Sequence, residues 1–397
     1  MNRILLKIAV LLLAIIPMET GFVVQPILGE VAKSFPNASP AIIGYVMTLP
    51  AIFTIIFSVI SGRLSITMNK KTLLLVGLLF YLIGGICPAI YAGQLWFILA
   101  CRGLLGIGNG LCMPLVQGLV AEFFEGQERA SMMGYSNAVG ALGGILTAFF
   151  AGYIALFNWR YSFLLYGFMV IVFVLGWIAL PDIKPAGKSE ENLSAREKWR
   201  LPGGVYIIAL FGFILWTFQL MSGIGTSLFA TSEKIGNAAQ IGTAMSLNMI
   251  AAFLSSLLFG QVFKKLKLNI WVLAIAMFAV SSLLTANAHI MITIYLAMAI
   301  NGIGTAFLLP GFYVRASSIA AKTHQTFALG IVNAAMNLGV FTSSAVMGLI
   351  FSLLGGPNFR SLFVVITGIQ VIMLILVAIY VFVTQNKEKG IEKTVAA

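Results

Sequence analysis

The chain has 397 residues, 60% of them hydrophobic and only 9% charged, with a mean hydropathy of +1.01. Soluble globular domains carry roughly 25% charged residues, so this composition excludes a water-soluble fold for most of the chain and reads as an all-α membrane protein. The net charge of +12 is scattered through short connectors and not gathered in one basic patch, which argues for membrane orientation and against a nucleic-acid partner.

A helix needs about 20 apolar residues to cross a hydrocarbon core. Runs of that length lie at 4–28, 41–62, 72–91, 95–121, 129–155, 160–180, 203–230, 240–263, 270–287, 291–315, 325–353 and 360–384, so twelve transmembrane helices are expected. The first run follows Arg3 and Lys7 as a signal peptide would. It lacks a small-x-small cleavage pattern and continues through Glu19 to Leu28, so it reads as a retained span. The short alternating segments of a strand barrel are absent. Cys87, Cys101 and Cys112 sit inside apolar runs with no paired spacing and no nearby His, so neither a disulfide framework nor a metal site is expected, and no cofactor.

With the N-terminus inside, nearly all Lys and Arg fall in loops on the inner side, leaving Lys33, Arg160, Lys234 and Arg360 outside and Arg102 within a span. The positive-inside rule then puts both termini in the cytoplasm of a multi-pass cell-membrane protein. The polar stretch Pro181 to Pro202 divides the chain into a first unit at 1–180, a cytoplasmic connector at 181–202, a second unit at 203–384 and a tail at 385–397.

The two units repeat each other. Gly106-Ile107-Gly108 recurs as Gly302-Ile303-Gly304, with Pro114 and Pro310 in step; Gly134, Asn137 and Ala138 recur as Gly330, Asn333 and Ala334. Ile43-Gly44 and Met47 align with Ile241-Gly242 and Met245, and Asn158-Trp159-Arg160 with Asn358-Phe359-Arg360. Six spans per unit is an even number, so both copies have the same orientation. Such a parallel repeat places a site at the interface of two six-helix pseudo-symmetric bundles around a central cavity.

This organisation resembles the major facilitator superfamily over nearly the whole chain. Gly62-Arg63-Leu64-Ser65-Ile66-Thr67-Met68-Asn69-Lys70-Lys71 resembles the family's loop after span two, with Ile66 at the acidic position and Asn69 at the second Gly. The resemblance implies a cytoplasmic gate of Gly62, Arg63, Lys70, Lys71, Glu122 and Arg129. Arg102-Gly103-x-x-Gly106-x-Gly108-x-Gly110 looks like the family's span-four motif, while span five carries Gly140, Gly143 and Gly144 but lacks the Gly-Pro pair of the antiporter motif. A buried acid in span one with an Arg in span four is also similar to bacterial multidrug facilitators.

Glu19 and Arg102 are the ionisable residues well inside the spans, at roughly 13 and 10 Å depth by helical rise. Buried charges usually face an ion or substrate pathway, and burial favours the neutral carboxyl that a proton carrier needs. Glu19 as proton carrier tuned by Arg102 is one reading; a structural pair fixing spans one and four is the other. If the family arrangement holds, Gln25, Asn109, Met113, Trp216, Gln219, Asn301 and Phe312 line the cavity, with Tyr135, Asn137, Asn248, Asn333 and Asn337 on flanking spans. For any single Asn, an interhelical hydrogen bond is an equal alternative.

The expected activity is secondary transport by alternating access, proton-coupled and outward, of amphipathic organic compounds, with small molecules, protons and the bilayer as partners and a monomer sufficient. Uptake of a small metabolite is the alternative. A membrane-embedded enzyme is disfavoured: His289 and His324 are far apart in loops, no catalytic grouping is present, and no phosphate-binding Gly-rich loop occurs.

Overall fold

The computed structural model describes residues 3–13, 15–16, 21–124, 126–181, 201–320 and 325–396, with side chains left out at 3–4, 63, 66–67, 117–118, 120–122, 126–131, 133–134, 137–138, 317, 325–327 and 387–396. Among these residues every regular element is helical: α1 (Arg3–Leu13), α2 (Leu28–Ser34), α3 (Pro40–Thr67), α4 (Lys70–Ile90), α5 (Leu95–Phe123), α6 (Gly126–Ile154), α7 (Phe168–Ala179), α8 (Gly203–Ser232), α9 (Ala238–Leu266), α10 (Asn269–Ala286), α11 (Met291–Ile319), α12 (Gln325–Leu353) and α13 (Phe359–Ala396). Backbone groups in lipid must be satisfied within the segment, and helices do this. Ten of these segments are long and apolar enough to cross a membrane. In α6 the described apolar stretch is Val139–Ile154, and the run at 4–28 is described only in pieces.

Two departures from the expected helices have local causes. A 3-10 turn at Gln25–Ile27 precedes α2, where Pro26 has no N–H to continue a regular ladder. The run at 160–180 also starts as a 3-10 stretch, Trp159–Gly167, before α7. The last helix continues beyond 384 through the tail.

Several helix starts use polar side chains at equivalent places in the two halves. Ser39 accepts from the Ile42 amide and Asn237 forms a reciprocal capping box with Gln240; Asn158 caps Arg160, and Asn358 caps Ser361. Each satisfies a backbone donor that the first helical turn leaves open. The repeated Asn at 158 and 358 is therefore a capping device.

The paired glycines of the repeat also do equivalent work. A Cβ on Gly106 would lie 2.6 Å from the Pro50 carbonyl of α3, and one on Gly110 2.7 Å from that of Thr54. Gly108 faces the other way, against Tyr81 and Gly77 of α4. In the second half Gly302 abuts the Asn248 carbonyl of α9, and Gly304 abuts Phe278 of α10. Glycines alternating along one helix thus let two neighbours approach at backbone distance.

Contacts between the first half (to 181) and the second half (from 201) gather at the end where the turns at 35–39, 155–158, 233–237 and 354–358 lie. Gly29 meets Thr231, Gly44 meets Ser344 and Met347, Gly152 meets Ala238, and a Cβ on Gly242 would stand 2.5 Å from the Ala148 carbonyl. Thr48 and Ser344 share a 2.9 Å hydrogen bond, and Ser246 donates to the Ile145 carbonyl at 2.9 Å. The core follows the same division. One apolar cluster includes the first half and this sealed end of the second half, from Met221 to Met245, from Ala286 to Met298 and from Met347 to Ile366. At the opposite end the second half keeps a separate cluster of its own, around Trp271, Phe278 and Phe312.

Candidate functional site

Between the halves, beside the sealed end, lies a cavity of about 340 Å³. The first half lines it with Gly21, Phe22 and Gln25, with Met47, Pro50, Ala51 and Thr54 of α3, and with Asn109 of α5. The second half contributes Trp216, Gln219, Leu220 and Gly223 of α8, Met245 and Asn248 of α9, Met298, Asn301 and Thr305 of α11, and Asn337 and Val340 of α12. None of these side chains is ionisable.

Of the residues expected from sequence, Gln25, Asn109, Trp216, Gln219, Asn248, Asn301 and Asn337 meet here. Met113, Tyr135, Phe312 and Asn333 do not line the cavity. Phe312 is fully buried two helical turns beyond Thr305 on α11, edge-on to Trp271 at 4.8 Å. Tyr135 is 60% exposed, and Met113 lies one helical turn beyond Asn109, past the cavity wall. Asn333 is engaged beside the cavity, accepting from Tyr313 at 3.5 Å and from Asn337 at 3.3 Å. The Asn137 side chain lies outside the described residues.

The sequence candidates included one thioether, Met113, which lies off the wall, and missed Met47, Met245 and Met298 together with the rest of the α3 wall. The repeat held the signal: Met47 and Met245, aligned in sequence, face the same cavity from opposite halves. At the offset set by the paired Gly-Ile-Gly motifs, Asn109 and Thr305 do so too.

The amides on the second-half wall are joined to one another. Gln219 donates to Asn301 Oδ1, Asn301 donates back to Gln219 Oε1 at 3.3 Å, and Asn248 donates to both Asn301 Oδ1 at 3.0 Å and the Met298 carbonyl at 2.9 Å. Three helices are thereby tied together by neutral hydrogen bonds.

Arg102 lies elsewhere, fully buried within the first half and off the cavity wall. Its Nε donates to the Val46 carbonyl at 2.7 Å and its Nη1 to the Tyr166 hydroxyl at 2.8 Å. The guanidinium also stands 5.8 Å from the Tyr166 ring centroid. Tyr166 packs edge-on against Tyr81 at 5.8 Å, and the Tyr81 hydroxyl donates to the Ile16 carbonyl at 3.0 Å. Segments from α3, α4, α5, the 3-10 stretch and the first run converge on this node. Glu19, the expected partner, lies outside the described residues, three positions from Ile16.

At the expected gate Asn69 caps α4 by accepting from the Lys71 amide at 2.9 Å, a use for Asn at a position where the family has Gly. Lys70 and Lys71 are half-buried, and a Cβ on Gly62 would meet nothing within 4 Å. The side chains of Arg63, Glu122 and Arg129 lie outside the described ones.

Many apolar helices and a central cavity built from both halves define a multi-pass membrane transporter. The chain belongs to the Major Facilitator Superfamily, whose family model matches residues 10–234 and 205–396. It is 22% identical over 344 residues to the quinolone resistance protein NorA of Staphylococcus aureus, covering 84% of this chain and 87% of that protein. It is 26% identical over 371 residues to YceJ of Bacillus subtilis, an uncharacterised MFS-type transporter, covering 88% and 90%. Its sequence thus resembles a bacterial drug-resistance permease. A mutant of the nucleoside transporter NupG matches in structure with a TM-score of 0.80 at 14% identity, covering 94% of this chain and 99% of that one. A peptide transporter POT matches with 0.75 at 13% identity, covering 94% and 93%.

Proposed function

We propose that the protein exports amphipathic organic compounds in exchange for protons by alternating access. Two six-helix units, 1–180 and 203–384, rock about the cavity, joined by a cytoplasmic connector at 181–202, with the tail at 385–397 and both termini inside the cell. The observation that carries this reading is the cavity lined from both halves and sealed at one end by contacts between them. Its thioether and aromatic walls suit loosely specified apolar ligands, and the name of the relative NorA points the same way.

Glu19 is the proton carrier and Arg102 its modulator in this proposal. Gly62, Arg63, Lys70, Lys71, Glu122 and Arg129 form the cytoplasmic gate, and one chain is the working unit. The test uses inside-out vesicles with an acid lumen and a pH-sensitive dye, challenged with lipophilic cations, neutral drugs and small metabolites. Proton release on adding a compound, lost in Glu19→Gln, is the expected result. Release that persists in Glu19→Gln removes the carrier role.

Uptake of a small polar metabolite is the second reading, favoured by the carboxamides on the cavity wall. It predicts silence in the vesicle assay and proton-driven accumulation in right-side-out vesicles.

A further inference from the structure

The cavity's two walls differ in how their amides are satisfied. On the second-half wall Gln219, Asn248 and Asn301 are bonded to one another. On the first-half wall the polarity of a short chain of bonds leaves an acceptor over. The Thr54 hydroxyl gives its proton to the Gly106 carbonyl at 3.3 Å, so its oxygen is left to accept, and the Asn109 amide donates to it at 3.2 Å. The carboxamide is thereby oriented with its carbonyl side turned from Thr54. Among the described residues Asn109 Oδ1 has no hydrogen-bond partner, although Asn109 is only 6% exposed and lines the cavity.

Gln25, also 6% exposed and on the same wall, makes no hydrogen bond to the protein among the described residues. Gly223 of the opposite half gives its carboxamide room, since a methyl there would collide with Gln25 Nε2. Buried polar groups are nearly always paired, and one that is not calls for an explanation such as a ligand. Across from them Trp216 offers an indole that makes no hydrogen bond among the described residues.

We infer that Asn109 and Gln25 form a hydrogen-bonding subsite for an uncharged planar molecule that presents an N–H beside a carbonyl, an aromatic lactam or carboxamide, with its ring against Trp216. The inference rests on the reading of the cavity as the substrate site and narrows its substrate class. Asn109 Oδ1 takes the N–H, and the Gln25 amide donates to the carbonyl. The ligand is uncharged because the described lining offers no counter-charge in a site of low dielectric. The first half supplies direction, while the interlocked wall of the second half supplies a fixed surface.

The experiment measures binding to the purified full chain in detergent by tryptophan fluorescence and calorimetry, with isoquinolin-1(2H)-one and its N-methyl derivative as a matched pair. Removing the donor is expected to weaken binding about tenfold or more, because the Asn109 acceptor is then buried against a methyl. Asn109→Leu should erase that preference. Gly223→Ala, which only displaces the flexible end of Gln25, should weaken both compounds severalfold, because both keep the carbonyl, and leave their ratio unchanged. Equal binding of the pair to the parent protein, absence of binding by both, or a preference that survives in Asn109→Leu overturns the inference. No proton gradient is involved, so the outcomes separate. A lactam preference without proton-coupled transport sinks the export reading alone, and transport of other amphipaths without the preference sinks the subsite alone.

Discussion

The sealed end and the opposite end of the molecule are built from the same helices by different rules. At the sealed end the halves touch at backbone distance through Gly44, Gly152 and Gly242, and one apolar cluster runs across both. At the opposite end the second half closes a core upon itself around Trp271, and Cβ atoms on Gly62, Gly260 and Gly330 would meet nothing within 4 Å. At the sealed end glycines bring the two halves together, whereas the glycine contacts of the opposite end, such as Gly311 on Trp271 and Gly110 on Thr54, stay within one half. The lesson is that closure here depends on a few sites of close approach between halves, and each half holds together independently of them.

The largest effect is expected inside the first half, where the sealed region is anchored. Arg102→Met, which installs the residue its repeat partner Met298 carries, leaves the Val46 carbonyl and the Tyr166 hydroxyl without their donors. Leaving a buried neutral group unsatisfied costs about 1–3 kcal/mol, and two such groups are affected, to be read as a lowered midpoint of thermal unfolding in detergent. An unchanged midpoint would mean that the node does not hold these helices together.

Gly242→Val comes next, because its side chain meets the Ala148 carbonyl across the interface. Overpacking costs about 1–3 kcal/mol, and here the halves can yield by parting. A cysteine placed at the sealed end should then react faster with a membrane-impermeant maleimide, whereas an unaltered rate would show that the seal does not depend on this approach.

A smaller effect is expected from Ser344→Ala, which removes one buried hydrogen bond between halves. Such bonds in membranes contribute about 0.6 kcal/mol on average and seldom above about 1.7. The Thr48→Val change should reproduce it, and the double variant should cost no more than either single one. The smallest is Gly330→Ala at the opposite end, expected within about 0.5 kcal/mol of the parent and without effect on thiol labelling at the seal. A large loss there would erase the distinction between the two ends.

Much of this arrangement follows from local physics that a single chain carries openly. Apolar runs near the length of a bilayer must become helices because lipid offers no partner to the backbone. The repeated Gly-Ile-Gly motifs become sites of close helix approach, and the repeated Asn158 and Asn358 become caps, since both roles need only the residue and its helix. The aligned Met47 and Met245 announced that opposite walls would match.

What tertiary structure alone decided is which face of each helix meets which neighbour. Eleven positions bring a helix back to nearly the same face but about 16 Å further along its axis, so Asn301 meets the cavity while Phe312 reaches past it and packs against Trp271. The pairing of Gln219 with Asn301 and the unpaired Asn109 oxygen depend on the rotation and spacing of separate helices, which no local pattern encodes. Hydrophobicity, capping and small residues are properties of one segment and are legible in its sequence. Seal, cavity and hydrogen-bond direction are properties of segments brought together from both halves, and only the packed fold defines them.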